Sequence, residues 1–121
     1  MAGGFEDLNC WKACQELKLY LKENVLSVLP NDEKYELYSQ IRRASRSATA
    51  NIAEGYGRYY DKDQIKYLVQ ARGSVTEILD HCIEALNWTY IPENELVIIR
   101  GKIDDCLKLI NGYIRFLRNK K

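Results

Sequence analysis

The chain has 121 residues, of which 46% are hydrophobic and 29% charged, and its formal net charge is +1. That length supports one domain around one core. The charge balance excludes electrostatic attraction of the whole molecule to nucleic acid, so such a role requires local clustering of cations. No apolar run reaches the roughly 18 residues of a membrane span, and no membrane association is expected.

In chain order, Leu8, Trp11, Cys14, Leu17, Leu21, Val25 and Val28 recur every three or four residues. This spacing predicts an amphipathic helix over 8–28, with Asp7 or Asn9 as its cap. Pro30 cannot continue it, and Asn31-Asp32 offers a new start.

A second helix is predicted over 33–54 and contains the most unusual stretch of the chain, QIRRASRSATANIAEGYGR at 40–58. Leu37, Ile41, Ala48 and Ile52 share one face. Arg42 and Arg46 share one flank, while Arg43 and Glu54 share the other. The outer face should be long and charged, yet it holds Ser47, Thr49, Ala50 and Ala53. Small residues there let a second neighbour approach, either another subunit or another helix of a tightly packed monomer. Gly55 and Gly57 are the expected stop signals.

The third helix, over 62–88, has Ile65, Leu68, Arg72, Val75, Leu79, Cys82 and Leu86 in register. Gly73-Ser74 interrupts it. An interior Gly costs roughly 1 kcal/mol relative to Ala, and close packing against the small residues of the second helix is the expected compensation. Glu77, one turn later, is placed to reach a partner helix. The fourth helix, over 94–117, has Leu96, Ile99, Ile103, Cys106, Ile110, Ile114 and Leu117 on one stripe and cations at its end. The prediction is all-α: an antiparallel four-helix bundle, a single domain spanning 1–121.

Little in the chain points to catalysis. Cys10, Cys14, Cys82 and Cys106 all fall in helical patterns and read as small core residues rather than a zinc site. His81 is the single histidine and has no nucleophile constellation near it in sequence. Gly55-Tyr56-Gly57 lacks the lysine and hydroxyl of a phosphate loop. Asn51, Glu54 and Glu77 read as a hydrogen-bonded network joining helices. The expectation is no enzyme, no metal and no cofactor. The opening Met1–Glu6 has neither the charge nor the apolar run of a signal peptide, so a cytoplasmic setting is expected.

Several of these residues carry a resemblance. The opening has Phe5, Leu8, Trp11, Ala13 and Leu17; a central signature joins Gln40, Arg42-Arg43-Ala44, Ser47 and Asn51-Ile52-Ala53-Glu54-Gly55; Ala71-Arg72-Gly73-Ser74 with Glu77 follows. Over nearly its whole length the chain resembles the four-helix bundle family encoded in intervening sequences of bacterial large-subunit ribosomal RNA genes. It departs from that pattern at Arg46, Ala48 and Thr49, where the family usually has an apolar residue, Ile and Pro. The resemblance implies a homopentameric ring of four-helix protomers. The family is also similar to the accessory variability determinant of diversity-generating retroelements, a basic pentamer that binds nucleic acid and a reverse transcriptase.

Two functional readings follow. In the first, Arg42, Arg43, Arg46 and Arg58 contact the phosphates of RNA or DNA, while Tyr56, Tyr59 and Tyr60 stack on unpaired bases. Within that reading, Arg42 and Arg58 carry most weight, because Glu54 is in reach of Arg43 and Arg46 is placed for a subunit contact. In the second, the protein is an oligomeric scaffold for a protein partner, with the arginines in subunit contacts.

Overall fold

The computed structural model describes residues 3–120. Four helices run α1 Asn9–Asn24, α2 Leu37–Tyr56, α3 Asp61–Asn87 and α4 Glu93–Arg118, forming an all-α antiparallel bundle. Short 3-10 turns at Phe5–Asp7, Leu26–Val28 and Asn31–Glu33 surround α1. The core is one layer of aliphatic side chains and thiols. Leu17, Leu21, Ile41, Ile52, Leu68, Ile78, Ile99, Ile103 and Ile110 are fully buried in it. The inward stripe of α4 is the predicted one, from Ile99 to Leu117. All four cysteines are buried free thiols. Burial raises the Cys10 thiol to about 11, as expected where thiolate is disfavoured.

The boundaries moved where the chain tightens. α1 stops at Asn24, and the 3-10 turn rotates the next residues, so Leu26 is buried and Val28 lies exposed. α1 begins after Leu8 with no side-chain cap; Asp7 instead accepts a hydrogen bond from the Gly3 amide at 3.0 Å. α2 starts four residues later than its pattern implied. There the Glu33 carboxylate accepts the Leu37 amide at 3.1 Å. The same carboxylate accepts the Tyr90 hydroxyl at 2.7 Å, tying the start of α2 to the α3–α4 connection.

Three sequence readings are corrected by α2 and α3. Gly55 does not stop α2 but lies buried inside it. A Cβ there would sit 2.9 Å from Tyr67 Cβ and 3.1 Å from the Gln64 carbonyl oxygen, so glycine lets α3 close on α2. Gly73 is the opposite case: a Cβ there meets nothing within 4 Å, and no close helix contact offsets its cost. Arg72, placed on the α3 stripe, is exposed and donates to Asn111 Oδ1 on α4 at 2.9 Å, while Ala71 takes the core position.

The small residues of α2 serve two neighbours within the chain. Ser45 and Thr49 are buried. Thr49 therefore does not lie on an outer face; it receives Lys18 of α1 at 2.9 Å. Ser47 faces α3, where its hydroxyl meets that of Ser74 at 2.9 Å. Ala50 is exposed.

Candidate functional site

The two flanks of α2 hold arginines in opposite environments. On the α3 flank, Arg43 forms an ion pair with Glu77 and donates to Gln40 Oε1 at 3.1 Å. Glu77 also meets His81 Nε2 at 2.9 Å. Burial disfavours the charged form of Glu77, but hydrogen bonding by His81 and the Arg43 charge outweigh it, and the carboxyl titrates below its usual range. Asn51 donates to the Ser47 carbonyl and hydroxyl, both at 3.0 Å, so its bonds stay within α2 and it does not join the helices as the sequence reading expected.

At the C-terminal end of α2, Arg58 donates to Glu54 at 2.6 Å and to the Tyr67 hydroxyl at 2.8 Å. Its guanidinium also lies 4.8 Å from the centre of the Tyr67 ring. Glu54 thus holds Arg58, not Arg43. Tyr56 donates to the Gly3 carbonyl at 2.8 Å. Tyr59 is 89% exposed and packs edge-on against Tyr60. At a rise of about 1.5 Å per residue, this end is roughly 20 Å from Arg42. The residues gathered from sequence as one nucleic-acid surface are therefore two separate groups, and the C-terminal group has its cation neutralised.

The α1 flank is different. Lys18 and Lys22 stand four residues apart on α1, opposite Arg42 and Arg46, and the four line a groove of about 400 Å³ together with Leu19, Leu26 and Tyr38. A second hollow of about 510 Å³ shares Tyr38 and Arg42 and adds Lys34. A third, smaller one holds Arg42, Arg43 and Arg46. Not one residue lining these hollows is a carboxylate. Among the described residues, Lys18, Lys22, Lys34, Arg42 and Arg46 form no ion pair. Burial first, and then the charge of Arg46, lower the pKa of Lys18.

Cations held together without counter-charge form a site of strong positive potential, suited to anionic groups and above all to phosphate. Sequence reading found Arg42 and Arg46 but missed Lys18, Lys22 and Lys34. The available signal was the four-residue spacing of Lys18 and Lys22 at the edge of the α1 apolar stripe. Among the described residues no group of three or more histidine, cysteine or acidic side chains is arranged to hold a metal ion. No described helix is long and apolar enough to cross a membrane.

A search of curated proteins finds no match to the chain. The family model described as 23S rRNA-intervening sequence protein matches residues 6–112, from the turn before α1 well into α4. Because that match takes in the α1/α2 groove, the α2–α3 seam and nearly all of the bundle, the chain belongs to the 23S rRNA-intervening sequence protein family.

Proposed function

We propose that this protein is a non-enzymatic, oligomeric nucleic-acid-binding protein whose α1/α2 groove contacts phosphates. The observation that carries the reading is the carboxylate-free set of Lys18, Lys22, Lys34, Arg42 and Arg46 on a chain of net charge +1. Arg43 and Arg58 contribute less, since their charges are matched by Glu77 and Glu54.

Each phosphate contact releases counterions, so binding falls with salt by a log–log slope of about −0.7 per contact for single strands. The test measures RNA and DNA binding by the wild type and by an Arg42→Ala/Arg46→Ala variant across a salt series. The variant should bind more weakly, with a slope shallower by about 1.4, two contacts' worth. Equal slopes in the two proteins, or no binding by the wild type at low salt, refute the proposal.

The second reading is an oligomeric scaffold for a protein partner. It is favoured by the outward face of α4, where Ile98, Leu109 and Phe116 are exposed and added Cβ atoms at Gly101 and Gly112 meet nothing within 4 Å. Both readings include a homo-oligomer, a pentamer by family resemblance. Sedimentation at micromolar concentration that finds only a 14.1 kDa species counts against assembly.

A further inference from the structure

The α1/α2 groove is not uniformly polar. Its cations stand at the rim, where Lys22, Arg42 and Arg46 are exposed. Its floor is apolar, the buried Leu26 and the half-buried ring of Tyr38, with Leu19 exposed beside them. Tyr38 is half-buried, packs on the core, and lines both larger hollows, which also share Arg42. The two volumes, about 400 and 510 Å³, fall within the roughly 300–1,000 Å³ of small-ligand sites. A surface that met only the phosphates of a duplex would have no use for this recessed apolar floor, because paired bases are stacked away inside the helix. An unpaired nucleotide presents both a phosphate and an open base face within one residue.

We infer that the groove seats an unpaired nucleotide, phosphate against Arg42 and Arg46 and base against Tyr38 and Leu19, and so selects single-stranded over double-stranded nucleic acid. This rests on the nucleic-acid reading above and adds strand selection to it. The chemistry is shared by RNA and DNA, since no groove residue is assigned to the sugar.

The experiment uses the full chain and fluorescence anisotropy across a salt series, with the probes compared at the same salt concentration. The probes are unstructured single strands of RNA and of DNA about 12 nucleotides long, their duplexes, an abasic strand of the same length, and poly-glutamate as a competitor. Base-bearing strands should bind about tenfold more tightly than the abasic strand or the duplex, the size of one base–aromatic stack. Tyr38→Leu should erase that margin and Tyr38→Phe should keep it, with the salt slope the same in both. Equal affinity of the wild type for base-bearing and abasic strands overturns the inference, and this comparison needs no variant to fold. A Tyr38→Leu protein that keeps the margin overturns it as well. Poly-glutamate that competes as well as a base-bearing strand does so too, and points to an acidic protein segment. Equal binding of all nucleic-acid probes with a steep salt slope removes strand selection but leaves phosphate binding intact; no binding at low salt removes both.

Discussion

The two flanks of α2 carry the same residue type to opposite ends. Facing α3, Arg43 meets Glu77, and just beyond the helix Arg58 meets Glu54. Facing α1, Arg42 and Arg46 meet Lys18 and Lys22. What each flank arginine within α2 does is decided by the helix opposite it, whereas Arg58 is held by Glu54 of α2 itself. An acidic neighbour converts it into a clasp between elements, and a basic neighbour leaves its charge available to something outside the chain. The first arrangement contributes to stability. The second opposes it, since like charges held close repel.

The comparison can be broken most forcefully at Gly55. Gly55→Ala pushes a methyl group into Tyr67 and the Gln64 carbonyl, and overpacking of that kind costs about 1–3 kcal/mol. Gly73→Ala, on an open face of α3, should instead raise stability by about 1 kcal/mol through helix propensity. Urea denaturation of the two variants reads both signs; a rise in stability for both would show that the α2–α3 seam is not closely packed at Gly55.

The next effect belongs to the clasp. Glu77→Gln should lower stability by about 1 kcal/mol, at the upper end for a solvent-accessible pair. The pH dependence has a defined sign. Because the Glu77 carboxyl is depressed in the folded protein, its contribution is present above the ordinary carboxylate pKa and is lost as pH falls through the lower, folded value. Wild type and Glu77→Gln should therefore differ at neutral pH and converge in acid. A constant difference across the acid range would remove Glu77 as the titrating partner.

Arg46→Ala gives the smallest change and has the opposite sign. Removing a like charge beside Lys18 should stabilise the fold by a few tenths of a kcal/mol. It should also raise the Lys18 pKa toward its ordinary value, which side-chain NMR titration measures. An unchanged Lys18 pKa would mean that burial alone sets it.

Much of this architecture was legible in the chain. The three-and-four spacing located every helix and almost the whole core stripe of α4, because period alone determines which face is inward. Boundaries were less legible: Pro30 and Asn31-Asp32 marked the break, but not that 3-10 turns at Leu26–Val28 and Asn31–Glu33 change the period on either side of it. Glycine was the least legible of all. Gly55 and Gly73 are identical letters in helical contexts, yet one fills a gap too small for a methyl group and the other faces open space. The arginine cluster and its division between two flanks were visible, but what faces each flank was not. Whether Lys18 or Glu77 lies across from a given arginine depends on how helices pair, which one-dimensional spacing does not encode. Arg46 and Thr49, two of the positions where the chain departs from the pattern it resembles, both belong to the α1 flank: Arg46 lines the groove and Thr49 holds Lys18.

The groove also changes what a net charge of +1 means. Lys18, Lys22, Lys34, Arg42 and Arg46 put five formal positive charges on one side, so the remainder of the chain nets four negative ones. A nearly neutral protein thereby carries a strongly uneven distribution of charge. In the field of a polyanion such a body feels a torque before it feels contact. It turns its basic side forward at separations comparable to the Debye length, about 8 Å at physiological ionic strength. Encounters are thereby pre-oriented. Local clustering of cations supplies a directed approach that total charge would not.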